Sequence, residues 1–211
     1  MKIAVNKPLP VYPAPVFLVG VYDEDGKPGG MIAAWGGICC SEPPCVTAAI
    51  QKSRHSYGGV VARRAFTVNI PSEAQAAEAD YFGLFSGRDG DKFAAAGLTP
   101  RRGEVVDAPL VEEFPVSLEC EVVHSVELGT HVLFVGKVVR TWAFEEHLDE
   151  RGLPDPLKVR PLVFAPQFGN YYGLGDKPVA RAFSVGLALS AAGSGMNVSA
   201  MLSRFPTLPR A

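Results

Sequence analysis

The sequence predicts a mainly β protein: a closed or nearly closed antiparallel barrel with a few peripheral helices. Residues 116–126 and 131–142 are rich in β-branched and apolar side chains. Glu127-Leu128-Gly129-Thr130 turns between them, which makes a long antiparallel hairpin. The 18 prolines and 22 glycines cut the rest into short segments, too short for long helices. Strand-like runs do not alternate with helical ones, which argues against a doubly wound parallel sheet.

Along the chain, Val16-Phe17-Leu18-Val19-Gly20-Val21 reads as a buried strand followed by a turn at Asp23-Glu24-Asp25-Gly26. Residues 31–35 and 46–50 are two more strands, separated by Ser41-Glu42-Pro43-Pro44. Ala65-Phe66-Thr67-Val68-Asn69-Ile70 is a fourth, stopped by Pro71. Helices enter as inserts. Ser53 is a candidate cap for a helix through Arg64. Ser72 with Gln75 makes a capping box ahead of Ala76 to Asp80. Asp91 to Gly97 is a short helix ended by glycine. Residues 1–185 therefore form one domain. From Gly186 small residues dominate, so residues 186–211 read as a flexible tail or docking arm.

Composition limits the function. With 47% hydrophobic and 20% charged residues, the chain has the balance of a soluble globular protein. A net charge of -2 with no basic tract gives no electrostatic reason for a nucleic-acid partner. No apolar run reaches the roughly 18 residues of a membrane helix. The start, Met1 to Pro8, lacks the apolar core and cleavage site of a signal peptide. The expected location is the cytoplasm, where Cys39, Cys40, Cys45 and Cys120 stay reduced. These cysteines form no CxxC pair and no zinc-ligand spacing. The four histidines, at 55, 124, 131 and 147, are too scattered for an all-protein metal site. GxGxxG, P-loop, HExxH and GxSxG patterns are absent, and no nucleophile-and-base constellation replaces them.

Two segments carry chemistry. In Lys52-Ser53-Arg54-His55-Ser56-Tyr57 a strand gives way to a helix start, where unpaired N–H groups and the dipole favour an anion. The two cations and two hydroxyls make it a plausible phosphate cradle; a capped surface helix with basic neighbours is the alternative. Ser86-Gly87-Arg88-Asp89-Gly90-Asp91-Lys92-Phe93 is a glycine-rich loop entering a helix, either a solvated loop or a wrap for a phosphoester.

Taken in order, Gly29-Gly30-Met31-Ile32-Ala33-Ala34-Trp35, Ser41-x-Pro43-Pro44, residues 52–57, Phe66-Thr67-Val68-Asn69, Ser86-Gly87-Arg88-x-x-Asp91-Lys92-Phe93, Ala108-Pro109-Leu110, Leu118-Glu119-Cys120 and His131 to Gly136 resemble the flavin reductase-like family of FMN-binding split barrels, in its flavoredoxin branch. The likeness covers roughly residues 10 to 185. It implies an antiparallel split barrel that holds FMN without a covalent bond and transfers electrons through it. The main chain of Met31, Ile32, Ala33, Ala34 and Trp35 is implied to run along the isoalloxazine edge. Lys52, Ser53, Arg54, Ser56 and Tyr57 are implied to hold the phosphate, with Ser86, Gly87 and Lys92 closing it. Asn69 is implied to reach the ribityl chain or ring, and His131 to lie near the flavin. Phe168, Tyr171 and Tyr172 are candidates to cover the ring, or simply pack. Trp35 is either a ring neighbour or a core anchor. Gly29 and Ile32 replace the asparagine and the threonine or serine common in the family, so ring tuning by side-chain hydrogen bonds is reduced.

The resemblance also implies a homodimer with FMN at the subunit seam. The electron donor is then NAD(P)H, which makes the chain an oxidoreductase, or another redox protein, which makes it a carrier. A thiol-based redox sensor built on Cys39, Cys40 and Cys45 and a barrel that has lost its flavin are the rival readings. The first is opposed by the stiff Glu-Pro-Pro segment between Cys40 and Cys45.

Overall fold

The computed structural model describes residues 1–2 and 11–180, and its compact β unit comprises Met1–Leu174. The strands are β1 (Ala14–Pro15), β2 (Phe17–Tyr22), β3 (Pro28–Ala33), β4 (Gly36–Ser41), β5 (Pro44–Gln51), β6 (Ala65–Ile70), β7 (Pro100–Arg102), β8 (Pro109–Val111), β9 (Val116–Leu128), β10 (His131–Ala143), β11 (Val163–Ala165) and β12 (Asn170–Tyr172). The helices are α1 (His55–Arg63), α2 (Ala76–Leu84), α3 (Lys92–Ala96) and α4 (Pro156–Val159). Seven strands make the main sheet in the order β3-β2-β6-β9-β10-β5-β4, and every pairing in it is antiparallel. The mainly β, split-barrel expectation is met. The tail expected over residues 186–211 lies outside the described residues.

The sheet curls because its inner side chains must share one core. Phe17, Val19 and Val21 from β2, Ala33 from β3, Val46, Ala48 and Ile50 from β5, and Phe66 and Val68 from β6 meet Cys120, Val122, Val132 and Phe134 from the long hairpin. Alternation along β5 puts its three core residues two apart, as a half-buried strand requires. α1 lies against β2 at Gly59: a Cβ there would run into the Tyr22 carbonyl, so only glycine permits this approach. That contact fixes where the start of α1 sits relative to the sheet.

Several local expectations are met at their ends. β6 coincides with the run read as residues 65–70. Ser72 and Gln75 form the capping box before α2, with the Ser72 amide donating to Gln75 Oε1 at 2.9 Å. Asp91 caps α3 by accepting from the amides of Phe93 and Ala94, and Gly97 closes it with φ +66°. Others need correction. The strand expected to run through Trp35 ends at Ala33, and Trp35 sits in the connection to β4. Ser53 does not cap α1, which starts two residues later with Arg54 at the N-cap and no capping side chain. The reason is a tight turn at the end of β5, closed by the Arg54 amide donating to the Gln51 carbonyl at 3.0 Å.

A buried carboxylate organises one end of the barrel. Glu119 on β9 is fully buried and accepts from Trp142 Nε1 at 2.8 Å and from the amides of Val105 and Val106 at 2.7 and 2.9 Å. Burial by itself would raise its pKa, yet these donors hold it below its ordinary value. Arg101 and Arg140 lie over the Trp142 ring at 4.7 and 5.3 Å, and both pair with Glu104. Glu119→Gln puts an amide donor where donors already converge. It is expected to destabilise the fold by about 2–4 kcal/mol, read as a lowered urea midpoint with unchanged slope.

Candidate functional site

The β5–α1 junction is where the fold leaves polar groups unused. The first turn of an α-helix has N–H groups without intrahelical partners, and here no side chain caps them and no acidic residue occupies the turn. Among the described residues, the Arg54 guanidinium has no hydrogen-bond or ion-pair partner. The Ser53 and Ser56 hydroxyls likewise make no hydrogen bond to the protein. Ser56 is 4% exposed, so its hydroxyl is a preset, nearly buried group at this start.

Around the junction lie two adjoining clefts. The first, about 200 Å³, is lined by Gly30, Met31, Ile32, Gln51, Ser53, Arg54, His55, Ser56, Phe82, Gly83, Phe85, Ser86, Gly87, Arg88 and Lys92. The second, about 370 Å³, is lined by Val16, Met31, Ile32, Ala33, Ala34, Trp35, Ala49, Gln51, Arg54, Asp80, Gly83, Leu84, His131, Phe164 and Tyr171. Met31, Ile32, Gln51, Arg54 and Gly83 belong to both, so the clefts form one elongated site, polar at the helix start and more apolar toward Trp35. β3 runs along it as an outermost strand of the sheet. Alternate N–H and C=O groups of β3 therefore point away from β2, available to a flat polar edge.

Lys92 closes the first cleft from below. It is 6% exposed, and its Nζ donates to the carbonyls of Phe82 and Phe85, each at 3.0 Å. It thereby satisfies the end of α2 while lying 4.8 Å from the Phe82 ring centre. Burial, with Arg54 adding repulsion, lowers its pKa from 10.5 to about 8. Arg88 reaches over the cleft mouth and donates to the Ser53 carbonyl at 3.3 Å. In the second cleft the Tyr171 hydroxyl donates to Asp80 Oδ1 at 3.0 Å, and its ring packs on Phe164 at 5.2 Å. Burial and then the Asp80 carboxylate push the Tyr171 pKa up to about 12, so that proton stays on the tyrosine.

The site residues expected from sequence divide accordingly. Met31, Ile32, Ala33, Ala34, Trp35, Ser53, Arg54, Ser56, Ser86, Gly87, Lys92, His131 and Tyr171 all line one cleft or the other. Lys52 does not. Its exposed Nζ pairs with Glu127 at 2.8 Å, and it lines an outer groove with Asp23, Glu24 and Asp25 that meets the first cleft at Arg54, His55 and Arg88. Tyr57 turns its ring toward the barrel core, 5.9 Å from Phe134. Asn69 is fully buried, donating to the Leu18 carbonyl and Thr67 Oγ1 and accepting from the Val111 amide and Ser117 Oγ. Its amide is used up in holding β2, β6, β8 and β9 together. Phe168 is 66% exposed and meets Tyr12 edge-on instead of covering a cleft, and Tyr172 is also exposed.

Sequence reasoning missed Gln51, Phe82, Gly83, Phe85, Asp80 and Phe164. Asp80, Phe82 and Gly83 on α2, with Phe85 at its C-cap, belong to a segment whose weak amphipathicity gave no signal. Gly83 is the informative one. A Cβ there meets only Ile32 Cβ, at 3.8 Å, so glycine is required by nothing in the fold and simply leaves open the point where the clefts join.

Comparison with known proteins supplies the remaining finding. A model of the flavin reductase like domain matches residues 9–175. The structure is similar to that of flavoredoxin from Desulfovibrio vulgaris (Miyazaki F), at 45% identity and a TM-score of 0.84, over 88% of this chain and 100% of that one. It is also similar to an FMN-binding protein from Thermus thermophilus solved with bound 1-cyclohex-2-enone, at 27% identity and a TM-score of 0.73, over 86% and 99%. An uncharacterised protein of Aeropyrum pernix is 33% identical over 156 residues, 73% of this chain, and the chain spans only 58% of that protein's length.

Gly83→Phe fills the junction of the clefts from a surface with room to spare. Binding of a flavin nucleotide, followed by quenching of its fluorescence, is expected to weaken at least about tenfold, or 1.4 kcal/mol. The thermal midpoint should stay within a few degrees of the parent.

Proposed function

We propose that this chain, which belongs to the flavin reductase like domain family, holds one FMN without a covalent bond in the joined clefts and transfers electrons through it. The observation that carries the reading is the uncapped start of α1, where Arg54, Ser53 and Ser56 have no protein partner and an edge strand leads away from them. These groups fit a flavin mononucleotide end to end. A dianionic phosphate suits the helix start and its cation. A flat, weakly hydrated ring suits the cleft between β3, Ile32, Phe164 and Tyr171.

The bound flavin supplies reversible one- and two-electron chemistry. The chain supplies position and shielding. Arg54, which lines both clefts, places one fixed positive charge between phosphate and ring. Ser53 and Ser56 donate hydroxyl hydrogen bonds at the phosphate end. The β3 main chain offers donors and acceptors to the ring edge, which stands in for the side-chain contacts that Gly29 and Ile32 cannot make. Asp80 holds the Tyr171 hydroxyl by its proton and so fixes that ring at the cleft wall. His131 Nδ1 shares a hydrogen bond with Thr130 Oγ1 at 2.9 Å, which steadies the imidazole at the cleft wall.

Two further parts of the reading are a homodimer and a cytoplasmic setting. Trp35 is 44% exposed beside the ring cleft and Ile38 is 87% exposed on the neighbouring edge strand β4. A second copy covering them would shield the ring from water. The likeness to flavoredoxin favours a carrier that takes electrons from a redox protein, and the family name favours direct reduction by NAD(P)H. Both use the same site.

The test begins with the visible spectrum of the purified protein. The parent and Lys52→Glu are expected to carry FMN's two visible bands, while Arg54→Glu loses them. Colour that survives in Arg54→Glu overturns the site. Anaerobic mixing with NADH or NADPH then assigns the donor: fast bleaching marks a reductase, and bleaching only by a protein reductant marks a carrier.

Affinity should also depend on pH. The ammonium form of Lys92, favourable to a phosphate, predominates below a pKa of about 8 and is lost above it. FMN affinity is therefore expected to fall by up to about tenfold between pH 7.5 and 9, and Lys92→Met should flatten that slope.

A further inference from the structure

Outside the clefts, the turn end of the β4–β5 hairpin collects three of the four cysteines. Cys40 and Cys45 are register partners there, and Ser41 pairs with Pro44 to close the turn. The Glu-Pro-Pro segment therefore does the opposite of what its stiffness suggested: it folds the chain back so that the two cysteines stand directly across from each other. Opposed residues of an antiparallel pair have Cα atoms about 4.5–5.5 Å apart. That lies inside the roughly 4.4–6.8 Å a disulfide spans. A register shift between Ile38 and Cys40 makes Cys39 an extra residue on the bulged strand, so two thiols oppose one.

The thiols are not equivalent. Cys39 and Cys40 are exposed, whereas Cys45 is 6% exposed. Cys40 Sγ donates to the Glu42 carbonyl at 3.3 Å within the turn. Burial, and then the neighbouring Cys45 and Cys40 thiols, raise the Cys39 pKa and favour its inert protonated form. Cys120 is buried in the core and pushed up to about 12, which removes it from thiol chemistry at neutral pH. An accessible thiol whose register partner is a shielded one can take up an oxidant outside and store the result inside.

We propose that Cys40 and Cys45 form a reversible dithiol–disulfide couple that reads the thiol redox state of the surroundings, with a small disulfide such as oxidised glutathione as co-reactant. The Cys40 thiolate attacks one sulfur of the glutathione disulfide; that S–S bond breaks and the first glutathione leaves as thiolate. The Cys45 thiolate then attacks Cys40 Sγ, the mixed disulfide breaks, and the second glutathione leaves. The two protons released by the cysteines go to the two glutathione thiolates, and two electrons pass from the cysteine pair to glutathione. Cys45 lies four residues from Ala49 on β5, about 13 Å from the ring cleft. The couple thus acts apart from the flavin and does not depend on that reading.

The native full chain, as purified, is equilibrated with oxidised and reduced glutathione at graded ratios, quenched with N-ethylmaleimide, and weighed intact. The parent and Cys39→Ser are expected to lose two alkylatable thiols together, with no glutathione retained at the endpoint. Cys45→Ser should stop at one glutathione adduct, mapped to residue 40. Cys40→Ser should lose the paired oxidation. Visible absorbance is read on the same samples, so failure of the flavin site and of the thiol couple are separate results. A parent that keeps all its thiols at the most oxidising ratio, or a Cys40→Ser variant that still forms a disulfide, overturns the proposal. Should either serine variant fail to fold, the brief glutathione adduct on the parent decides it: an adduct at residue 40 supports the couple, and one confined to residue 39 refutes it.

Discussion

The start of α1 is the constraint around which the site is arranged. A helix that begins directly after a buried strand must leave its first amides somewhere, and most helices cover them with a serine, threonine or aspartate side chain. Here the N-cap is Arg54, whose side chain cannot accept a hydrogen bond. The amides, the guanidinium and the adjacent hydroxyls thus all favour negative charge at one point. Gly59 lets α1 lie close enough to β2 to keep that point at the barrel mouth. The 86–88 loop and Lys92 then wall it in, and none of them contributes an acid.

Much of this was legible in the chain. The long hairpin announced itself by two extended β-branched runs around a glycine turn, and β6 by a six-residue apolar run cut off by proline. The caps of α3 and the box before α2 depend on side chains reaching two or three residues away, which is why the sequence alone located them. The proposed phosphate end rests on local features, serines and an arginine beside a helix start, which the sequence displays directly.

What escaped notice depends on distant packing. β4 has no alternation: Gly-Gly-Ile-Cys-Cys-Ser becomes a strand only because β5 pairs with it. Asn69 reads as a ligand contact until β2 and its own strand take its amide donors and β8 and β9 take its oxygen. Lys52 and Arg54 look interchangeable in sequence, but the tight turn at the end of β5 sends one outward to Glu127 and leaves the other between the clefts. The contribution of α2 was invisible for the same reason: its value lies in an absent side chain at Gly83 and in carbonyls that Lys92 needs.

The roof of the second cleft belongs to a different sheet from its floor. Phe164 and Tyr171 stand on β11 and β12, which form a three-stranded sheet in the order β1-β11-β12 and share no ladder with the seven-stranded sheet among the described residues. A small apolar cluster and the Tyr171–Asp80 contact fasten this flap to α2. Reshaping the flap would leave every rung of the barrel intact. For the proposed flavin site, the architecture therefore separates which molecules can approach the reactive face from how the pigment is gripped, so access can be altered without rebuilding the grip.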